Sequence, residues 1–161
     1  MRKKLKIMNN QLLESMADLT TIVGFPIACL TIYMTWREYV QTKKVAEGTL
    51  LLELKNTFLE FDDIHLGLRP GGIWTIGNRL FSSEDWIRVE TYMGLFELCE
   101  ILISNQSISE KNFKDQYLFR LHNILNNEEI VNFKLNHEKE YWQTFIALCR
   151  RFELQIPEIN E

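Results

Sequence analysis

Cysteine is too scarce in this chain to build a disulfide framework, with three residues in 161. Cys29 lies in an apolar run, and Cys99 and Cys149 fall in helical apolar patterns, an arrangement suited to a reducing compartment. Excess positive charge is also missing: the formal net charge is −4. A nucleic-acid-binding surface needs clustered Lys and Arg to neutralise phosphates, so nucleic acid is not an expected partner. No stretch alternates apolar and polar residues with period two for long, which excludes a half-buried sheet and points to an all-α chain. Internal repeats and low-complexity tracts are absent, and only QIPEINE at the end reads as a loose tail. Catalytic motifs are lacking too. The HEKEY run at His137 has no second histidine of a zinc-protease helix, and no Ser/His/Asp or Cys/His nucleophile arrangement is recognisable.

The longest uncharged apolar run is Leu19–Trp36, closed by Asp18 on one side and Arg37 and Glu38 on the other. At about 1.5 Å per residue it makes roughly 27 Å of helix, close to the ~30 Å of a bilayer core, and it predicts a transmembrane helix through which the lipid bilayer is a partner. A buried core helix is the alternative, though such helices seldom run this long without a polar face. Pro26 then marks a kink, with the hydroxyls of Thr20, Thr21 and Thr31 available to the freed carbonyl. The basic residues Arg2, Lys3, Lys4 and Lys6 do not adjoin the run and no small-residue cleavage site follows it, so it reads as a retained anchor. Tyr33, Trp36 and Tyr39 cluster as an interfacial belt does. Flanking charge leaves orientation open. A start at Met8 would remove the basic cluster, and together with the cysteines it favours an inner-membrane location with the helical domain in the cytoplasm.

The expected organisation is an N-terminal segment (1–18), a transmembrane helix (19–36), a juxtamembrane helix (37–48), a compact bundle of about four to five helices (49–154) and a C-terminal tail (155–161). Leu51, Leu54, Phe58 and Phe61 share one helix face, and Gly48 is a candidate break before them. The glycine-rich LGLRPGGIWTIGNR is the one substantial loop. Ser82 with Asp85 has the form of a capping box and opens a long helix from about Ser83 to Ser104, apolar around most of its circumference and the expected centre of the core. Ser109 starts the next helix, with Phe113, Tyr117, Leu121 and Ile124 inward, and Asn126 and Asn127 end it. A short helix around EEIVNFKL follows. The last runs from about Glu138 to Leu154, with Tyr141, Phe145, Leu148 and Phe152 in a stripe.

Three charged residues stand out inside this apolar pattern. Glu90 and Glu97 lie on a narrow line of the long helix with Gly94 between them, and Arg120 is centred in the inward stripe of the next helix. Since a buried charge requires a partner, the structural reading is an ion pair from Glu97 or Glu90 to Arg120, with Gly94 allowing close helix approach. The catalytic reading makes the same three residues an acid/base pair with a supporting cation, hydrolase-like in character. Asp62, Asp63 and His65 beside the glycine-rich loop read as a solvated helix end; neither a metal nor a cofactor is expected. The loop candidates for binding are His65, Arg69, Gly71, Gly72 and Trp74; Arg69 and the backbone N–H groups at Gly71 and Gly72 could hold an anion, although a plain turn is the favoured reading.

The YMGLFE element at Tyr92–Glu97, the Tyr117 and Arg120 pair, and Trp142 with Phe145 resemble the helical domain of a family of small uncharacterised bacterial proteins with one N-terminal span. The resemblance implies architecture and brings no active site. Three readings of function follow. The first is a membrane-anchored, non-enzymatic helical interaction module that binds a protein partner or forms a homo-oligomer. The second is a membrane-acting effector of an antiphage defence or toxin-like system, and the third an enzyme using Glu90 and Glu97.

Overall fold

The computed structural model describes residues 2–75 and 80–157, with side chains described from residue 24 onward. The described residues are helical and contain no strand. Six α-helices follow in order: α1 Arg2–Leu59, α2 Asp62–Leu68, α3 Ser83–Ser104, α4 Glu110–Leu125, α5 Glu128–Ile130 and α6 Gln143–Arg151, with a π-helical segment, Val131–His137, between the last two. The chain divides into two compact units, Met1–Val45 and Ala46–Glu161.

The expected transmembrane helix is not found, because no helix among the described residues is long and apolar enough to cross a membrane. The interval Leu19–Trp36 is no separate element but part of α1. The same helix then continues through Arg37, Glu38, Lys43 and Lys44. Segment 1–18 and residues 19–23 of the expected span have side chains outside the described residues. Neither Pro26 nor Gly48 ends α1, and Thr31 Oγ1 donates to the Ile27 carbonyl at 2.9 Å within it.

In the second unit the core is built on aromatic contacts between the end of α1 and helices α3, α4 and α6. Phe58 of α1 stacks on Tyr117 with centroids 4.7 Å apart and meets Phe96 at 5.1 Å; Phe96 in turn meets Phe113 and Phe145. Each fully buried aromatic removes enough apolar surface from water to contribute on the order of 1.5–3 kcal/mol. Helix α3 is the centre, with Val89, Tyr92, Met93, Phe96 and Cys99 fully buried, and it packs against α2, α4 and α6. It begins on a complete capping box: Asp85 N–H donates to Ser82 Oγ at 3.1 Å and Ser82 N–H to Asp85 Oδ2 at 2.9 Å. Ser109 and Asn127 cap α4 and α5 in the same manner through the N–H groups of Asn112 and Ile130.

Several local expectations differ. Residues 62–68 form α2 instead of a loose helix end, held by Arg120 bonding to Asp62 and Arg88 to Asp63. The last helix starts at Gln143, so Tyr141 falls in a turn and is exposed, while Phe145 and Leu148 are buried. Gly94 faces open space and brings no helices together. Close approach occurs at Gly67, where a Cβ would sit 2.2 Å from the Trp74 ring, and at Gly72, where it would meet the Gly67 carbonyl oxygen at 2.2 Å.

Candidate functional site

The charged residues singled out by sequence are placed in three separate environments. Arg120, on α4, bonds Asp62 of α2 at 2.9 Å, and its guanidinium lies over the Phe58 and Phe119 rings. Glu97 accepts a hydrogen bond from the Phe145 N–H at 3.3 Å; burial raises its carboxyl pKa and that bond partly offsets the rise. Glu90 bonds Lys134 at 2.6 Å. The expected pairing of Glu90 or Glu97 with Arg120 is therefore replaced, because α2 brings Asp62 to Arg120, and no single site gathers the three.

Around Arg120 the core holds an unusual concentration of polar atoms. His65 Nδ1, Tyr117 OH and one terminal nitrogen of Arg120 are buried without a hydrogen-bond partner among the described residues, and Tyr92 OH lies beside Arg120 with no well-formed bond. Burial, reinforced by the Arg120 and Arg69 cations, pushes His65 down to about 4. Burial likewise pushes Tyr92 up to about 12. The histidine is thus neutral near pH 7 and the tyrosine protonated, so the cluster holds no poised acid or base. Within it the Arg120–Asp62 pair ties α4 to α2.

The loop candidates fold back on α2 and form a closed turn. Trp74 N–H donates to the Gly67 carbonyl at 3.2 Å and Gly72 N–H to that of Arg69 at 2.7 Å, while Thr75 Oγ1 bonds the Arg69 carbonyl at 2.8 Å. Gly71 takes φ 90°, a left-handed conformation that suits glycine alone. These inward bonds take up the N–H groups of Gly72 and Trp74 that an anion would need. Among the described residues no group of three or more His, Cys, Asp or Glu is placed to hold a metal ion.

A surface cleft of about 470 Å³ opens between α3 and the π-helical segment. Trp86 and Ile87 of α3 and Phe133 of the π-helix supply apolar faces, and Glu90, Glu129 and Glu138 supply carboxylates. Lys134 sits inside, 8% exposed, its ammonium 2.6 Å from Glu90 Oε1, 2.7 Å from Glu138 Oε2 and 5.1 Å from the Trp86 ring centroid. Burial opposes its charge, but the hydrogen bonds to Glu138 and Glu90 outweigh that, and its pKa stays above the ordinary lysine value. Of these residues only Glu90 was marked in the sequence. Lys134 and Phe133 owe their placement to the π-helix, a rare form common at functional sites, and no spacing in EEIVNFKL announces it.

The remaining candidate surface is the described first-unit part of α1. Every residue from Gly24 to Tyr39 is exposed, among them Phe25, Ile27, Leu30, Ile32, Tyr33, Met34 and Trp36. No protein-family model, curated protein or solved structure matches this chain, and the resemblance drawn from the Tyr92–Glu97 element gains nothing from these comparisons.

Proposed function

We propose that the chain is a non-enzymatic interaction module which associates with a second copy of itself through the apolar stretch of α1. The observation that carries this reading is the exposure of that stretch: eight large apolar or aromatic side chains between Phe25 and Tyr39 each leave more than half of their surface uncovered. Contiguous apolar surface on this scale favours a covered state at roughly 25 cal/mol per Å² removed from water. A second copy presents the same surface, and two-fold self-association is the commonest form of assembly. Phe25, Cys29, Ile32, Trp36 and Tyr39 fall within about 40° of one helix face, a seam along which two such helices can pack.

A non-catalytic role is supported by the dispersal of Glu90, Glu97 and Arg120, each with its own structural partner. The reading is tested by sedimentation of the full chain, paired with mild oxidation. Dimers or small closed oligomers are expected, with Cys29 cross-linking them across the seam and Cys29→Ser abolishing the link. Ile32→Glu should shift the population to monomer. A wild-type chain that stays monomeric at all concentrations, or that partitions into lipid vesicles as a monomer, overturns the proposal.

A further inference from the structure

The cleft between α3 and the π-helical segment combines features that seldom meet by chance on a folded surface. Two aromatic rings, Trp86 and Phe133, stand nearly perpendicular at 78° with centroids 6.0 Å apart, and Phe133 is half exposed. Three carboxylates, Glu90, Glu129 and Glu138, share the cleft with a single ammonium, that of Lys134. We propose that this cleft binds an arginine side chain presented by a partner protein.

The charge count selects a cation. Lys134 bonds one oxygen each of Glu90 and Glu138, whose side chains remain 42% and 45% exposed, so both carboxylates keep a face toward solvent. With Glu129 added, the cleft has more negative charge than its own lysine balances, and an anionic ligand would meet repulsion. The chain also demonstrates the chemistry internally: Lys134 shows that a cation is held here between carboxylates and over an indole face. What Lys134 leaves open is the outer part, walled by Phe133 and Ile87 and rimmed by Glu138 and Glu129. A planar guanidinium suits that space better than a second ammonium. It can lie against the Phe133 face while donating in the ring plane to a carboxylate, and it sheds its hydration more easily. This inference concerns the second unit and stands independently of self-association through α1.

The test uses the full chain and a fluorescent glycine- and serine-flanked peptide carrying one arginine, alongside lysine and citrulline counterparts, with binding followed by anisotropy. Citrulline keeps the shape of arginine and removes its charge. Saturable binding of the arginine peptide is expected, at least tenfold weaker for citrulline and several-fold weaker for lysine. Phe133→Ala, which keeps every charge, and Glu138→Gln, which keeps the aromatic wall, should each weaken binding about tenfold without altering the thermal unfolding curve by more than a few degrees. Loss through Glu138→Gln alone would mean unspecific attraction to negative charge and overturn the proposal. So would equal binding of the citrulline or lysine peptide, or no saturable binding up to about 1 mM.

Discussion

His65 is 5% exposed, packs edge-on against Phe119 with ring centroids 5.3 Å apart, and faces a guanidinium that disfavours its protonation. Its pKa of about 4 in the fold lies below the 6.5 of an unfolded chain, so the unfolded state takes up the proton first. Stability contributed by neutral His65 is therefore complete above pH 6.5 and is lost as pH falls from 6.5 toward 4, by up to about 3 kcal/mol. The urea midpoint is expected to drop across that window, and His65→Gln should flatten the dependence; an equal slope in both proteins would show that His65 is not its source. The residue was visible in the sequence, though as a loop candidate for binding. Its burial depends on α2 and on Arg120, and the partner of Arg120 was misplaced for the same reason. A buried cation requires a carboxylate, but the sequence cannot rank Glu90, Glu97 and Asp62 until the packing of α2 on α4 is known. The inward stripe Phe113, Tyr117, Leu121 needed no such knowledge, since helical spacing alone puts the set on one face.

Helix α3 couples to α6 through Arg151, which grips Glu100 with two nitrogens at 2.6 and 2.8 Å and reaches Ser104 and Glu110. The pairing holds the Glu100 carboxyl below its ordinary range although burial works against it. Within the same helix Gly94 has no packing role, because nothing lies within 4 Å of where a Cβ would stand. A mid-helix glycine gives up about 0.5–1 kcal/mol relative to alanine, so Gly94→Ala should stabilise the fold by that amount and raise the melting temperature by a few degrees. A destabilised variant would mean that the site is closed by something the present packing omits. Capping explains why α3 and α4 were legible from their first residues: Ser82 with Asp85, and Ser109, carry side-chain acceptors at the required offset. The stretch after Asn127 was not legible. Its first turn is α-helical and the rest π-helical, a change in winding that depends on seating Val131, Lys134 and Leu135 inward, and no residue preference encodes it.

Every buried core side chain of the described residues lies between Leu54 and Cys149, inside the unit that begins at Ala46, and this decides how far the chain can be shortened. The expected helical domain ran over 49–154, where core-forming periodicity becomes continuous, and the unit itself runs over Ala46–Glu161. The anchor was read from an uncharged run with an aromatic belt at its end, and it is overturned because no helix among the described residues is long and apolar enough to cross a membrane. A boundary at residue 49 also misses Glu47, which accepts hydrogen bonds from Ser109 N–H at 2.7 Å and Asn112 Nδ2 at 2.8 Å at the start of α4. Two charge-assisted bonds to a helix N-terminus contribute on the order of 1–3 kcal/mol, aided by the helix dipole. A chain beginning at Ala46 is therefore expected to unfold cooperatively at nearly the temperature of the full chain, whereas one beginning at Leu50 should melt several degrees lower, with Glu47→Ala in the longer chain reproducing most of the loss. Both should sediment as monomers, since neither retains Phe25 to Tyr39. A chain from Ala46 that still dimerises would move the self-association surface from α1 to the second unit, and one that fails to fold would show that the first forty-five residues hold more of the core's stability than its packing implies.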